Sequence, residues 1–444
     1  MSMQEWDLHV TRCLDHAARW HGDAPVACAG SAGGGSTWAR VRERALALAR
    51  ALVARGVRRG QHVATMSFNS ERHMVAWWAI MGCGAVVHTL NPRYFVSQLA
   101  AIVHAAQDRV FFVDEHCAPE MAALQAELEK RGGPCGDLLA RGVAMVDGAA
   151  GERAVTEAGV RGQLETFEAL VAAELGGSYS WFGGLPFDER SPCGLSFTSG
   201  TTGAPKGVVY THRSNMLHAM SELGADSLHL SATDTVLCGA AMYHANAWGL
   251  VFSCPLAGAG VVLPGRDVSG PALVSLARVH GATLMTGVPT LYLDILAHLD
   301  SGKAGKDPLR TLKRAIVAGA APAASVIEAF EEHYGVTLVQ AWGMTEMGPL
   351  GTNFALKRGV APTTRAERTA YMMKAGRTQW INDMKVSAPD SDRELPRDGK
   401  TIGRLMVNGP SVIQTYFKST SRSSVHDPRL DDVLDPQGFF DTGA

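Results

Sequence analysis

The sequence predicts an α/β protein with two parallel-type sheets, flanking helices and a smaller β-rich part. Three observations lead to this fold class. Short apolar segments alternate with helical patterns in both halves of the chain, which is typical of parallel strands joined by helices. The 444 residues exceed the size, about 250 to 300 residues, at which a single core stops growing. After Gly351 the segments shorten, and turn signals such as Gly399 and Gly409 become frequent.

The first alternating run begins close to the N-terminus. Apolar residues recur at helical spacing over 37–57, and Gly56 and Gly60 end this helix before a predicted strand at His62–Met66. Further along we predict helices at 74–81 and 96–106 and strands at 84–89 and 109–113. The Ala-, Glu- and Gly-rich segment 115–184 is interpreted as surface helices and loops.

A second alternating run predicts a second sheet. Its strands are expected at 235–237, 260–263, 284–286, 314–318 and 337–340, with helices such as 272–279 and 323–332 between them. We therefore interpret 1–444 as one large domain with three parts. These are a first α/β part at 1–185, a second α/β part with the nucleotide motifs at 186–350, and a β-rich part at 351–444.

Composition excludes several classes of protein. Lys and Arg total 41 against 43 Asp and Glu, and a net charge of -2 provides no field that would attract nucleic acid or an anionic membrane. The eight cysteines form no C-x-x-C pair and are expected to be reduced thiols. Charged residues interrupt the N-terminal apolar positions, so we expect no signal peptide and a cytoplasmic location. Glycines and prolines interrupt the apolar stretch 236–264, so we predict no transmembrane segment.

A loop rich in glycine and hydroxyl residues follows a short apolar strand. Residues 196–207 read S-F-T-S-G-T-T-G-A-P-K-G. Glycines allow backbone N–H groups to converge on phosphate oxygens, hydroxyls add donors, and the lysine adds a positive charge. An arbitrary cluster of this composition is usually a polar turn, and this one lacks the G-K pair of a Walker loop. The candidate phosphate-binding residues are Thr198, Ser199, Gly200, Thr201, Thr202, Gly203 and Lys206.

Five further motifs accompany this loop. They are T-H-R-S-N at 211–215, Y-H-A-N-A-W-G at 243–249, G-V-P-T at 287–290, A-G-A-A-P at 318–322 and Q-A-W-G-M-T-E at 340–346. In this order they resemble the adenylate-forming superfamily, the AMP-dependent synthetases and ligases that include acyl-CoA synthetases. The segment M-G-C-G-A-V-V-H-T-L-N-P-R at 81–93 resembles the branch with medium- and long-chain fatty acyl-CoA ligases and methylmercaptopropionate-CoA ligase. The resemblance covers essentially the whole chain.

The resemblance implies an acyl-CoA ligase that uses ATP, Mg²⁺ and CoA and acts on a carboxylic acid, expected to be a medium- or long-chain fatty acid or a similar apolar acid. By resemblance, Thr345 contacts the α-phosphate and Glu346 holds Mg²⁺, a role that suits a carboxylate. An isolated Thr-Glu pair would more often cap a helix. The family places its catalytic machinery at residues corresponding to Lys206, His244, Thr345 and Glu346. It places the nucleotide, with the adenine against the aromatic face of Trp342, near Gly319, Ala320, Ala321, Gln340, Ala341, Trp342 and Gly343.

The acyl pocket is expected around the Y-H-A-N-A-W-G motif. His244 and Trp248 are four residues apart and would share one face of a helix. A lone histidine is more often a structural residue, but in this family the position borders the acyl group and the path of the thiol. Relatives that activate amino acids usually carry Phe-Asp at the position of Tyr243 and His244, so an uncharged acyl tail is favoured here. The predicted pocket residues are His244, Trp248, Val288, Pro289 and Gly319.

The last residues depart from the family pattern. G-F-F-D-T-G-A at 438–444 resembles a motif whose final aspartate binds the ribose, and Ala444 occupies that position. Relatives then continue through a hinge into a small C-terminal domain with the adenylation lysine. The sequence leaves open whether the chain is a fragment or a natural truncation, and with that whether it is a noncatalytic nucleotide- or acyl-binding remnant. Independently, an acid-activating enzyme with another acceptor stays an alternative to the CoA ligase. The oligomeric state, including a homodimer, also stays open.

Overall fold

The computed structural model describes residues 2–30, 35–132, 138–198, 205–418 and 433–443. Within these ranges the predicted α/β class is confirmed, with two large sheets and one small antiparallel sheet. The α-helices lie at Thr11–Trp20, Trp38–Ala54, Glu71–Gly82, Val96–Ala106, Ala118–Arg131, Gly148–Glu157, Phe167–Glu174, His212–Glu222, Leu250–Ala257, Gly270–Val279, Pro289–Asp300, Ala324–Tyr334 and Arg365–Met372. Short 3₁₀ turns lie at Glu115–Cys117, Trp181–Gly184, Ala245–Gly249 and Thr345–Met347. None of the helices in the described ranges is long and apolar enough to cross a membrane.

The first sheet has seven strands in the described residues. All neighbours are parallel except the last pair, which forms an antiparallel hairpin. In spatial order the strands are Gln163–Thr166, Arg141–Met145, Val110–Asp114, His62–Met66, Val86–Thr89, Pro192–Phe197 and Gly207–Thr211. The interpretation of 115–184 as helices and loops was therefore incomplete, because this segment supplies the two outermost strands on one side. Gln163–Thr166 is polar and partly exposed, as befits an edge strand, and so lacks an apolar signal.

The second sheet has nine strands within the described ranges. Its central strands are parallel, and antiparallel strands extend both edges. In spatial order they are Arg377–Thr378, Leu350–Asn353, Thr337–Gly343, Arg314–Val317, Leu284–Gly287, Thr235–Cys238, Gly260–Leu263, Pro25–Cys28 and Ser36–Thr37. A small sheet of Asp383–Ser387, Arg404–Asn408 and Phe440–Asp441 forms the β-rich part of the described chain.

The two large sheets exchange strands across the predicted boundary at residue 185. Pro25–Cys28 pairs in parallel with Gly260–Leu263 in the second sheet, whereas the hairpin after residue 185 completes the first sheet. One apolar cluster contains Val26, Val63 and Val236, and therefore residues of both sheets. A cut at 185/186 does not separate the sheets, because each draws strands from both sides of it.

Candidate functional site

A cavity of about 370 Å³ lies where the carboxyl ends of strands from both sheets meet. Gly239, Val288 and Ala318 line it directly after parallel strands of the second sheet, and Gly265 lines it two residues after another. Phe68 lines it two residues after a strand of the first sheet. Ligands of open α/β sheets bind at the carboxyl ends of the strands. The volume falls at the lower end of the range for small-molecule sites. The cavity therefore lies at the edge where proteins of this fold class bind small molecules.

Asn69 joins the two sheets beside the cavity. Its side-chain amide donates to the carbonyl oxygens of Cys238 and Ala240 at 2.9 and 2.8 Å, and its Oδ1 accepts from the N–H of Met242 at 2.7 Å. Its own carbonyl accepts from the N–H of Gly265 at 3.0 Å. Because this buried side chain satisfies backbone groups of the second sheet, it fixes the loop that continues to His244.

One wall of the cavity is apolar and partly formed by the turn Ala245–Gly249. Trp248, Leu291 and Leu350 contribute to this wall. The turn is left-handed: φ is 55° at Asn246, 51° at Ala247 and 57° at Trp248. The prediction that His244 and Trp248 share one face of a regular helix is therefore wrong, because the backbone between them is left-handed. Both side chains nevertheless line the same cavity. The side-chain amide of Asn246 donates a 3.0 Å hydrogen bond to Oδ1 of the buried Asn215, and this tertiary contact helps hold the strained backbone.

His244 lies at the cavity wall with a neutral ring. Its Nε2 is 3.4 Å from the Asn91 amide nitrogen, and its ring centre is 5.1 Å from that of Tyr243. The surrounding protein atoms, and secondarily the positive charge of Arg93, lower the pKa of His244 even though part of the side chain is open to the cavity. At neutral pH the imidazole is uncharged and can accept or donate one hydrogen bond.

Thr345 and Glu346 lie in a short turn after the strand Thr337–Gly343. Thr345 lines the cavity, and its carbonyl accepts a 2.8 Å hydrogen bond from the Tyr210 hydroxyl. The Glu346 side chain is buried, and its Oε1 accepts a 2.8 Å hydrogen bond from the Tyr416 hydroxyl. Burial, followed by the charge of Glu346, raises the pKa of Tyr416, so this hydroxyl keeps its proton and donates.

The donor set around Glu346 suits a metal that arrives with phosphate. Among the described residues there is no group of three or more His, Cys, Asp or Glu side chains that could hold a metal. Mg²⁺ is usually bound by one or two carboxylates together with substrate phosphates and water, and a single buried carboxylate beside the cavity fits this mode. The described residues do not fit a metal held by protein ligands alone.

The ends of the glycine-rich loop are held close together. The strands Pro192–Phe197 and Gly207–Thr211 pair in antiparallel register, and the N–H of Thr198 donates to the carbonyl of Lys206 at 2.9 Å. The Lys206 ammonium lies 4.8 Å from the centre of the Tyr416 ring. The predicted loop residues Ser199, Gly200, Thr201, Thr202 and Gly203 lie outside the described residues, as does Ala444.

Comparison with known proteins identifies the family. The model of the AMP-binding enzyme family, described as "AMP-binding enzyme", matches residues 14–417. The chain belongs to this family. It is 37% identical over 447 residues to a 3-methylmercaptopropionyl-CoA ligase of Ruegeria lacuscaerulensis, and this match covers 99% of this chain and 78% of the relative. It is 35% identical to a medium-chain-fatty-acid–CoA ligase of Ectopseudomonas oleovorans, with 99% and 76% covered.

Solved structures of other ligases share the fold. A long-chain-fatty-acid-CoA ligase from Archaeoglobus fulgidus superposes with a TM-score of 0.79 at 20% identity, over 100% of this chain and 82% of that chain. An anthranilate CoA ligase in complex with anthranoyl-AMP gives a TM-score of 0.77 at 18% identity, over 99% and 75% of the two chains. Known CoA ligases are thus similar to this AMP-binding enzyme in sequence and in fold.

The AMP-binding enzyme brings together only part of the predicted site. Gly319, Gly343 and Thr345 line the cavity with the pocket residues His244, Trp248 and Val288, whereas Pro289 begins a helix and is not among the lining residues. Ala320 and Ala321 are exposed in the loop after the strand Arg314–Val317. Gln340 and Ala341 are buried in the next strand, and Trp342 packs against the apolar cluster that contains Tyr210.

Several residues of this site were not predicted from the sequence. Arg93 and Arg266 are exposed and line the cavity, and Asn69 ties the sheets together beside it. Arg93 belongs to the N-P-R segment used for the family resemblance, so its motif could have drawn attention to it. Tyr416 contacts both Lys206 and Glu346 from a distant segment. We find no signal in the sequence that would have assigned it to the site.

Proposed function

We propose that this AMP-binding enzyme is an ATP-dependent acyl-CoA ligase for an uncharged apolar acid, such as a medium- or long-chain fatty acid. The observation that carries the proposal is the lining of the cavity. It reaches from the turn with Thr345 to an apolar wall with Trp248, and none of its described lining residues is Asp or Glu. An α-ammonium group would therefore find no counter-charge, whereas an apolar tail would be accommodated.

The proposed reaction has two steps. An oxygen of the acid's carboxylate attacks the α-phosphorus of ATP, the bond to the leaving pyrophosphate breaks, and an acyl-adenylate forms. The sulfur of CoA then attacks the acyl carbon, AMP leaves, and the thiol proton is lost as the thioester forms. Activation as a mixed anhydride supplies a good leaving group for the second step. Each step needs charge stabilised on the departing phosphate, which preorganised donors can provide.

The polar residues are proposed to act on ATP. The loop 198–203 and Lys206 would bind phosphate oxygens, and Thr345 would donate to the α-phosphate. Glu346 would hold Mg²⁺, which neutralises phosphate charge when bound. The loop 319–321 and the strand residues 340–343 would lie along the adenine and ribose, with the Trp342 ring as an aromatic surface.

The remaining roles concern the acid and CoA. The neutral His244 would border the acyl group at the entrance for the thiol, and Trp248 and Val288 would lie along the acyl tail. The medium-chain-fatty-acid–CoA ligase relative, at 35% identity, supports this substrate class. We propose the cytoplasm as the compartment and residues 1–444 as one AMP-binding domain.

Product analysis tests this function. The 444-residue chain, and the chain joined to the C-terminal domain of a relative, are incubated with ATP, Mg²⁺ and CoA. Straight-chain acids of increasing length are compared with α-amino acids, and AMP, pyrophosphate and thioester are separated by chromatography. We expect AMP and thioester in equal amounts with the straight-chain acids and neither with amino acids. AMP and pyrophosphate without thioester would indicate another acceptor, and nucleotide binding without AMP would indicate a noncatalytic protein.

A further inference from the structure

Tyr416 contacts both of the charged side chains that the proposed function assigns to phosphate and metal. Its hydroxyl donates a 2.8 Å hydrogen bond to Oε1 of Glu346. The Lys206 ammonium faces the same ring, 4.8 Å from its centre. The side chain is buried, and its ring meets that of Phe440 edge to face at 6.2 Å. One neutral residue thus contacts both charges.

The backbone on both sides fixes Tyr416 in this position. The N–H of Ile413 donates to the carbonyl of Glu346 at 2.9 Å, and the N–H of Phe417 donates to the carbonyl of Gly207 at 2.8 Å. A Cβ on Gly207 would lie only 2.8 Å from the Cβ of Phe417, so the two segments are in close contact. The segment 413–417 is therefore attached to the turn with Glu346 at one end and to the strand after Lys206 at the other.

The ammonium of Lys206 and the carboxylate of Glu346 both contact Tyr416 and carry opposite charges. They would therefore attract each other if the ring were removed. A direct ion pair would occupy both groups, and each would then have to be released before it could bind phosphate or metal. With Tyr416 present, the ammonium rests on the ring face and Oε1 of the carboxylate is held by the hydroxyl. Outer hydrogen bonds of this kind orient metal-binding carboxylates.

We propose that Tyr416 is a positioning residue that keeps Lys206 from pairing with Glu346 and orients the carboxylate toward phosphate-bound metal. This inference rests on the proposed function. The aromatic ring acts as the spacer, and the hydroxyl sets the direction of the carboxylate. The two contributions can be separated, since phenylalanine keeps the ring and lacks the hydroxyl, whereas leucine lacks both.

The first measurement is metal binding. Mn²⁺ is titrated into the complex of the chain with ATP and followed by electron paramagnetic resonance, for the unmodified chain and for Tyr416→Phe. Loss of the hydrogen bond to a metal-binding carboxylate should weaken Mn²⁺ binding by about tenfold. The affinity for ATP without metal, measured by calorimetry in a chelator, should stay the same because the ring still separates the charges. Unchanged Mn²⁺ binding by Tyr416→Phe would overturn the orienting role.

The second measurement tests the spacer. Tyr416→Leu should bind metal-free ATP about tenfold more weakly, because Lys206 would pair with Glu346. Adding Glu346→Gln to Tyr416→Leu should restore that affinity, since the carboxylate charge is gone. A purely structural defect would not be reversed by the second change, so failure of this rescue would overturn the spacer role. If the unmodified chain bound no ATP, the proposed function itself would fail, which distinguishes the two.

Discussion

Gly249 lies directly against the buried carboxyl group of Glu222: a Cβ placed on Gly249 would lie 2.7 Å from Oε2 of Glu222. The same Cβ would lie 2.8 Å from Nδ1 of His218. Gly249 also has φ +83°, which disfavours any residue with a side chain. Since Trp248 precedes it in the left-handed turn, the shape of the apolar wall depends on the absence of a side chain at this position.

Gly249→Ala should therefore destabilise the fold more than the same change at a glycine with open space. Gly281 is the matched control, because it has φ +63° and a Cβ placed there would meet no heavy atom of the described chain within 4 Å. Both substitutions should incur the backbone cost of roughly 1–2 kcal/mol, and only Gly249→Ala adds overpacking of about 1–3 kcal/mol. Urea unfolding of the two variants measures the difference. Equal losses of unfolding free energy would show that His218 and Glu222 move aside without cost.

Trp248→Ala should change the choice of acid more than the binding of ATP. The indole forms part of the apolar wall, and each methylene in such a pocket is worth roughly 1–3 kcal/mol of discrimination. We expect the optimum to shift among straight-chain acids of different length, measured as relative kcat/KM, with little change in apparent ATP affinity. Trp380→Ala is the control, since Trp380 is 70% exposed. An unchanged acyl profile would remove Trp248 from the pocket wall.

The buried His212 should make stability depend on pH. Burial, assisted by the charge of nearby His9, lowers the pKa of His212 from 6.5 to about 3. Between these values the unfolded chain binds a proton that the folded chain does not, so the free energy of unfolding rises with pH in this window. From pH 7 down to pH 5 the loss from this residue should be about 2 kcal/mol.

His212→Phe isolates this contribution. The ring already packs against Phe182 and Phe187, with centres 5.5 and 5.4 Å away, and its two nitrogens have no hydrogen-bond partner among the described residues. Denaturant unfolding at pH 7 and pH 5 should show a smaller fall in stability for the variant than for the unmodified chain. The same fall in both proteins would place the pKa of His212 near its ordinary value.

Much of the fold follows from local sequence. Buried apolar strands such as His62–Met66 and Gly260–Leu263 carry their own signal, because both faces of a parallel sheet are covered. The pairing of Pro25–Cys28 with Gly260–Leu263 does not follow from local sequence, because it joins distant segments and depends on the packing of both sheets. The polar edge strand Gln163–Thr166 was missed for the opposite reason, since its side chains are not buried.

The candidate site divides in the same way. The motif residues His244, Trp248 and Thr345 were assigned to the site from their family resemblance, and all three line one cavity. Thr345 also carries a local signal, because it follows the apolar strand Thr337–Gly343. The left-handed turn could not be predicted, since Ala247 and Trp248 have no local preference for positive φ and tertiary contacts hold them there. Tyr416 was missed because its role comes from contacts to residues far away in the sequence.

The role of Glu346 in adenylation is tested most directly by carboxylate-dependent exchange of labelled pyrophosphate into ATP, which reports the adenylation step alone. The unmodified protein is compared with Glu346→Gln and with the control Glu157→Gln. Glu157 is exposed at the end of the helix Gly148–Glu157. Each is assayed as the chain alone and joined to a relative's C-terminal domain. If the carboxylate supplies a metal contact worth several kcal/mol, Glu346→Gln should lower exchange by roughly a hundredfold or more, while Glu157→Gln leaves it unchanged. Near-normal exchange by Glu346→Gln would contradict a metal-holding role for Glu346.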